Sequence, residues 1–275
     1  MTGSELRVVR APPGLVWRAF DGHQLAGSAT AFLRPDDRWF VTFDTSQEES
    51  YQPLLRAVAA NTGSDLYAVA DETDEHALET FTRLGFTLNR RESNLLIPTN
   101  PQITGLHTFD EPEGIVIISA IDAYEDQLRL LDDALRQDVP GAAGWKWDPG
   151  DFHEETFDSQ FNPATYLIAV EKDSGDYLGL VRVWDSPGRP RLGLIAILPP
   201  YRRRGLASVL LARAFRVLNE RGTTEVTAEV DDTNSPSRSL LMRLGARRIS
   251  GTIELVWPRA RRARSVPEQA ADEGA

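Results

Sequence analysis

A short apolar strand that leads through a basic turn into an amphipathic helix constrains this chain more than any other feature. Residues 195–198 are apolar, and two prolines then precede a turn of three arginines and a glycine at 202–205. From position 206 onward, apolar residues recur at helical spacing. The unbonded first-turn N–H groups of such a helix, its dipole and the glycine all favour a bound anion. The segment therefore predicts an α/β protein with a candidate phosphate site, although a basic helix start on a solvated surface is the alternative.

Composition narrows the chemistry that is open to the chain. The 275 residues include no Cys, which excludes disulfides, thiolate metal sites and an acyl-cysteine intermediate. The four His are scattered, so no metal is expected. A net charge of −11 argues against a nucleic-acid partner. The sequence has neither an apolar run of roughly 20 residues nor a signal-peptide pattern, so we expect a cytoplasmic location and no membrane contact.

The first half of the chain reads as a β-meander followed by alternating helices and strands. Period-two patterns and turn signals predict strands at 15–20, 24–33 and 39–43, helices over 54–59 and 77–84, and further strands at 66–70 and 94–97. Periodicity then stops in a stretch with three prolines, which we interpret as a linker.

The second half repeats the alternation. Strands are predicted at 115–119, 166–171, 177–185, 192–198, 225–230 and 252–256, and helices over 128–135, 206–221 and 237–244. Arg83-Leu84-Gly85 in the first half matches Arg243-Leu244-Gly245 in the second, each at the end of a helix. This weak repeat suggests duplication of one fold, although a Leu-Gly helix ending is common by itself.

Arg202, Gly205 and Ala207 follow the pattern Arg or Gln, two residues, Gly, one residue, then Gly or Ala, directly after a strand. With Asn234 beyond the next strand, this pattern over about 114–257 resembles the GNAT acetyltransferase superfamily. The resemblance implies an α/β (α+β) fold with two GNAT-like domains, each a mixed, mainly antiparallel sheet flanked by helices. It divides the chain into a degenerate domain (1–100), a linker (101–113), an acetyltransferase domain with the CoA site (114–257) and a disordered tail (258–275).

The same resemblance implies acetyl-CoA, or another acyl-CoA, as the acyl donor. The residues that it places at the CoA are Ile195, Ala196, Ile197, Arg202, Arg203, Arg204, Gly205, Leu206, Ala207, Asn234 and Ser237. The backbone N–H of Ile197 would then stabilise the oxyanion. Transfer would be direct, which agrees with the absence of Cys.

Two catalysts that this superfamily often uses are missing. The tyrosine that protonates the leaving thiolate would fall at Leu241, and the carboxylate of the fourth strand would fall at Arg191. Glu229 and Asp231 are therefore the candidate proton acceptors, and Tyr201 is a candidate acid. Each of the three also fits an ordinary strand, loop or turn position.

The connection after the first helix of the second half usually forms the acceptor pocket in this superfamily. Here it supplies Trp145, Trp147, His153, Glu154 and Glu155 as candidates, with Phe152 beside them, although such aromatic residues are more often core. Residues 108–160 contain fourteen Asp or Glu against three Lys or Arg, which favours a cationic acceptor.

The sequence thus predicts an acyl-CoA-dependent N-acyltransferase, acting on a primary amine of a small cationic molecule or of a peptide or protein, as a monomer or homodimer. The first half has carboxylates and no glycine at 44–50, where arginines would be needed, so it is predicted not to bind CoA. A non-catalytic acyl-CoA sensor or partner-binding module is the alternative. Transfer from aminoacyl-tRNA conflicts with the negative charge and the intact signature.

Overall fold

The computed structural model describes residues 6–11 and 14–259. The strands are β1 (Arg7–Ala11), β2 (Val16–Asp21), β3 (Gln24–Leu33), β4 (Trp39–Thr45), β5 (Leu66–Asp71), β6 (Thr87–Pro98), β7 (Ile115–Ser119), β8 (Tyr166–Glu171), β9 (Tyr177–Trp184), β10 (Arg191–Ile197), β11 (Glu225–Asp231) and β12 (Arg247–Trp257). The helices are α1 (Tyr51–Thr62), α2 (Glu75–Arg83), α3 (Pro101–Thr104), α4 (Glu125–Arg136), α5 (Pro149–Thr156), α6 (Leu206–Glu220) and α7 (Ser235–Arg243). Within this described part, no helix is long and apolar enough to cross a bilayer.

All twelve strands join one sheet, in the order β1-β2-β3-β4-β5-β12-β6-β11-β10-β9-β8-β7. Neighbours are antiparallel except for two parallel pairs, β4 with β5 and β10 with β11. The expected α/β class with mainly antiparallel strands flanked by helices is therefore confirmed.

The two halves exchange their last strands. β12, at the end of the second half, lies between β5 and β6 of the first half, and β6 in turn pairs with β11. The ends of β5 and β11 are held alike: Glu72 N–H donates to Gly251 O at 3.0 Å, and Asp232 N–H donates to Arg91 O at 3.0 Å. Neither half therefore completes its own sheet.

The same local geometry follows β5 and β11. Asp71 and Asp231 each accept hydrogen bonds from the N–H and hydroxyl of a threonine two residues later. The next helix is then capped by Asp74 in the first half and Asn234 in the second. The repeat therefore extends well beyond the matching helix ends that the sequence revealed.

Helices cover the sheet unevenly. α1 packs with strands of the first half in one apolar core, and α6 packs with strands of the second half in another. α4 and α5 bury Leu128, Leu135 and Phe152 in a third core that includes Ile168 and Leu180. Between these cores, Arg90 of β6 lies within ion-pair distance of Glu92, of Asp231 on β11 and of Glu254 on β12.

Most predicted elements are present, with corrections at five places. β1 and α5 were not predicted, and β6 and β12 are much longer than the segments 94–97 and 252–256, because their outer residues are polar and lack an apolar pattern. The predicted linker 101–113 contains α3, and Leu106 is buried against α6 at 1% exposure. Beyond Arg259, the predicted disordered tail lies outside the described residues.

Because the strands are exchanged, we expect the two halves to unfold together. Thermal unfolding followed by calorimetry and by circular dichroism should give one transition, with coincident midpoints from the two methods. Two separable transitions would show that the halves are independently stable and would contradict the exchange.

Candidate functional site

The parallel strands β10 and β11 diverge soon after they begin. They are paired only at Arg191 with Thr227 and at Leu192 with Ala228. Beyond Leu192 a register shift bends β10 away, so its last residues follow β9 alone. The divergence opens a gap in the sheet between these two strands.

Backbone groups of β10 face this gap. Leu198 N–H donates to Leu178 O at 2.8 Å, so alternate residues of β10 are bonded to β9. By the same alternation, the N–H and C=O groups of Ile195 and Ile197 point away from β9. Ile197 O accepts a hydrogen bond from Arg202 Nε at 2.8 Å, which agrees with this direction.

The turn before α6 exposes unbonded N–H groups. Arg203 and Gly205 both have left-handed backbones, with φ of 62° and 81°. The first helical bond joins Val209 N–H to Gly205 O at 3.1 Å, so the N–H groups of residues 206–208 have no acceptor within the helix. Two left-handed residues beside a helix start form a concave surface of N–H groups that suits an anion.

A cleft of about 500 Å³ joins this turn to the strand gap. We call it the α6 cleft; its walls are Leu135, Asp138, Val139, Ile195, Ala196, Ile197, Tyr201, Arg202, Arg203, Gly205, Leu206, Ala207, Ser208, Asn234, Pro236, Ser237, Leu240 and Arg243. Ten of the eleven residues expected at the CoA therefore lie around one space, and Arg204 does not. Sequence reasoning missed Asp138, Val139 and Arg243, which are distant in the chain.

The three signature arginines differ in their surroundings. Arg202 is bound to Ile197 O and, through Nη2, to Asp138 Oδ2 at 2.6 Å. Arg204 turns away, donating to Pro200 O at 3.2 Å with its guanidinium over the Tyr201 ring. Arg203 also lines the cleft, and it is the only one of the three whose backbone is left-handed. The sequence interpretation treated all three as equivalent phosphate ligands, and the side-chain contacts separate them.

The corresponding turn of the first half is closed. Ser50 is fully buried and donates to Gln47 O at 2.7 Å. Arg83, which matches Arg243 of the cleft, forms an ion pair with Glu48. The Glu48 carboxylate thus pairs with Arg83, the arginine that would otherwise be available to a bound anion.

A second space of about 90 Å³, the β11 cavity, lies at the other end of the strand gap. Residues of both halves line it: Glu92, Val139, Pro140, Leu192, Gly193, Leu194, Ile195, Ala228, Glu229, Val230, Asp231, Asn234, Ser237 and Leu241. Four of these residues also line the α6 cleft, so the two spaces adjoin.

The two candidate proton acceptors differ in their contacts. Asp231 is buried, its Oδ1 accepts from Thr233 N–H at 2.8 Å, and its Oδ2 lies 3.5 Å from Arg90 Nη1. Glu229 is half exposed and lies 3.4 Å from Arg191 Nη1. Asp231 therefore caps the loop as Asp71 does in the first half, whereas Glu229 has only one exposed ion pair.

The residues expected at the acceptor lie elsewhere in the second half. Trp147 and Phe152 are core residues, and Trp147 Nε1 donates to Asp132 at 2.7 Å. His153 is exposed, with Nδ1 3.1 Å from Glu125, and Glu154 and Glu155 are exposed beside it. None of these, nor Trp145, lines the α6 cleft or the β11 cavity.

Charges between the halves are closely paired. Burial lowers the pKa of Arg90, but the carboxylates of Glu92 and Glu254 more than offset this, so the pKa is raised. Burial lowers the pKa of Arg34 in spite of the nearby Asp36.

Among the described residues, no three His, Asp or Glu are grouped to hold a metal ion.

Comparison with known proteins connects this geometry to a family. Residues 129–246 match the model of the acetyltransferase (GNAT) family. Mycothiol acetyltransferase from Salinispora arenicola is 27% identical over 73% of this chain and 66% of its own length. N-alpha-acetyltransferase MAK3 from Arabidopsis thaliana is 39% identical over 21% of this chain and 30% of its own length. The chain thus spans less than two thirds of each of these relatives.

Solved structures share the fold over nearly the whole chain. A GCN5-related N-acetyltransferase from Sphaerobacter thermophilus has a TM-score of 0.63 at 17% identity, covering 91% of this chain and 82% of its own. A tandem GNAT protein from the clavulanic acid biosynthesis pathway has a TM-score of 0.62 at 14% identity, covering 90% and 83%. The family match over the second half and the named relatives together support the expectation of a GNAT-type N-acetyltransferase.

Proposed function

We propose that this chain transfers an acetyl group from acetyl-CoA to a primary amine, with the donor bound in the α6 cleft. The observation that carries the proposal is the junction of two features in one space. The diverging ends of β10 and β11 lie beside the unbonded N–H groups at the start of α6. The gap between the strands suits an extended chain of amides, and the unbonded N–H groups suit a pyrophosphate.

In this proposal, the donor is held mainly by backbone groups. The N–H groups of residues 206–208 and the open backbone of Gly205 bind the pyrophosphate, and Arg203 and Arg243 add charge from the cleft wall. Ile195 and Ile197 offer free backbone groups to the pantetheine amides. Asn234 accepts from Ser237 N–H at 3.1 Å through its Oδ1, which leaves its side-chain amide N–H groups for the donor.

Arg202 has a different part. Its two hydrogen bonds, to Ile197 O and to Asp138, hold the end of β10 against the α4–α5 connection. We therefore assign it to shaping the cleft rather than to direct phosphate binding.

The transfer step needs few side chains. An amine attacks the thioester carbonyl directly, and the N–H of Ile197 faces the gap where the oxygen gains negative charge. A thiol with a pKa near ~8.5 leaves readily as the thiolate. The buried Leu241, in place of a tyrosine, is compatible with this step because the leaving group does not require a proton from the chain.

Glu229 is the proposed proton acceptor for the amine. It lines the β11 cavity and is half exposed, whereas Asp231 is committed to the loop that both halves share. Tyr201 lies on the turn before α6, beside the arginines of the signature, and lines the α6 cleft. We therefore assign it to the wall of the acetyl-CoA site and not to proton transfer.

The class of acceptor is proposed as a cationic primary amine. Glu92 and Asp231 share Arg90, and Glu229 pairs with Arg191, so three carboxylates at the β11 cavity face two arginines. The remaining negative charge attracts an ammonium group. One relative is named for a small molecule, mycothiol, and another for protein N-terminal amines. A small amine and a peptide N-terminus both remain within the proposal.

A non-catalytic sensor is the second candidate, favoured by the apolar Leu241 and the cationic Arg191 at positions where a tyrosine and a carboxylate were expected. Arg191 is held by Glu229 and stacks on the Trp184 ring at 4.4 Å. A sensor would bind acetyl-CoA without transferring its acetyl group to any amine.

The donor site can be tested with two glycines at opposite ends of α6. Gly205 and Gly222 both have left-handed backbones, with φ of 81° and 83°, and an added Cβ would touch nothing closer than 4.0 Å at either position. Gly205→Ala should weaken acetyl-CoA binding about tenfold or more, because the methyl group blocks the approach of a phosphate to the backbone. Calorimetric titration measures the change.

Gly222→Ala is the matched control. It should lower the unfolding temperature by a similar amount, since alanine is strained in the same backbone region, but leave acetyl-CoA affinity unchanged. Equal affinities of the two variants would move the donor away from the start of α6.

The chemistry is tested by release of CoA from acetyl-CoA in the presence of a polyamine, an aminoglycoside or a peptide with a free N-terminus. We expect the wild type to acetylate one of these, with the product identified by mass. Glu229→Gln should lower kcat/KM about 10²- to 10⁴-fold, because the amine loses its proton acceptor.

Glu225→Gln is the control on the same strand. Glu225 is also paired with arginines, Arg189 and Arg247, but lines neither the cleft nor the cavity. It should retain wild-type kinetics. Acetyl-CoA binding without turnover on any amine class would favour the sensor, and equal kinetics of the two glutamine variants would exclude Glu229 as the base.

A further inference from the structure

One wall of both spaces is a single stretch of chain between α4 and α5. Residues 138–146, here called the wall loop, place Asp138 and Val139 in the α6 cleft and Val139 and Pro140 in the β11 cavity. The loop has no regular secondary structure. Turns within the loop and hydrogen bonds of Gln137 with Gly144 and Trp145 shape its middle, and further contacts come from the first half of the chain.

The first half of the chain holds this loop. Arg34 Nη2 donates to Gly141 O at 3.1 Å, and Arg38 Nη2 donates to the same carbonyl. Lys146 N–H donates to Pro35 O at 2.9 Å. These contacts come from the connection between β3 and β4, residues 34–38, which we call the hairpin tip.

An aromatic contact supports the same attachment. The Arg34 guanidinium lies 4.9 Å from the centre of the Trp145 ring, and Arg136 of α4 lies 4.5 Å from that ring. Trp145 thus contacts a cation from each half, and stacking of this kind adds to the hydrogen bonds.

The hairpin tip is itself fixed by buried charge. The Asp36 carboxylate is fully buried, and it lies 3.0 Å from Arg34 and 2.9 Å from Arg38. Arg38 also lies 2.9 Å from Glu254 on the exchanged strand β12. A buried pair of this kind keeps its geometry because separating it leaves an uncompensated charge.

The other end of the wall loop reaches the signature turn. Asp138 Oδ2 accepts from Arg202 Nη2 at 2.6 Å, and Arg202 Nε donates to Ile197 O at 2.8 Å. Only two residues separate Asp138 from Gly141. A continuous set of contacts therefore runs from the hairpin tip to the end of β10.

We infer that the first half is a positioning part of the active site: its hairpin tip holds the wall loop in the arrangement that binds the acyl donor. The inference rests on the proposed function. It gives the half without an anion site a defined role, with Arg34 as the positioning residue. Arg38 contacts the same carbonyl but compensates two buried carboxylates, Asp36 and Glu254, so its removal would destabilise the fold. Arg34 compensates Asp36 alone, and Asp36 keeps Arg38 as a partner when Arg34 is replaced.

The test compares Arg34→Met with Arg10→Met. Arg10 lies on the edge strand β1 with its guanidinium 5.8 Å from the Trp17 ring, so the control loses the same kind of stacked cation within the first half. Hydrogen exchange of the wall loop is measured without ligand, acetyl-CoA affinity by calorimetry, and the unfolding temperature of each variant by circular dichroism.

For Arg34→Met we expect exchange at the Lys146 amide to quicken and acetyl-CoA affinity to fall about 3- to 10-fold, the effect of one lost charge-assisted bond. The KM for acetyl-CoA should rise with little change in kcat, and Arg34→Lys should recover part of the loss. Arg10→Met should leave exchange, affinity and KM unchanged.

Three results would overturn the inference. Unchanged exchange in Arg34→Met would show that the tip does not hold the loop. Unchanged affinity, with the wild type binding normally, would show that the held loop does not matter to the donor. Absence of binding by the wild type would contradict the proposed function itself, and the inference with it.

Discussion

The exchange of the last strand between the two halves is the constraint on which the other features depend. With β12 inserted beside β5 and β6 paired with β11, neither half has a complete sheet of its own. The exchange also brings Glu254 to Arg38 and Glu92 to the edge of the β11 cavity. A residue of the first half can therefore line a space in the second, and buried ion pairs can form between the halves without a separate domain interface.

On this shared frame, the two halves differ at the turn that precedes the helix after their parallel strand. Their loops after β5 and β11 are built alike, from Asp71 in one and Asp231 in the other. The turns before α1 and α6 differ, because Glu48 neutralises Arg83 in the first half while left-handed residues and unbonded N–H groups open the second. A few side chains thus decide which parallel strand pair is suited to an anion. The contacts of the hairpin tip with the wall loop give the first half its proposed role.

Local patterns in the sequence were sufficient for most elements, including the strand, turn and helix around residue 205. The turn at 202–207 is a contiguous signal, and all of its residues except Arg204 lie around one cleft. Arg243 and Asp138 were missed because only the fold brings them to that turn. The strand exchange was missed because an apolar period shows that a segment is a strand but not which strand it pairs with, and the polar outer parts of β6 and β12 carry no such period. Trp147 and Phe152 were expected at the acceptor, but their side chains are buried in the core that α4 and α5 form with the sheet.

These features together imply that one half of this chain, and only one, binds an acyl donor. The decisive measurement is a calorimetric titration of the 275-residue chain with acetyl-CoA. We expect one molecule bound per chain, at the start of α6. Two molecules per chain would mean that the closed turn of the first half opens to a second donor, and no binding would contradict the assignment of the α6 cleft.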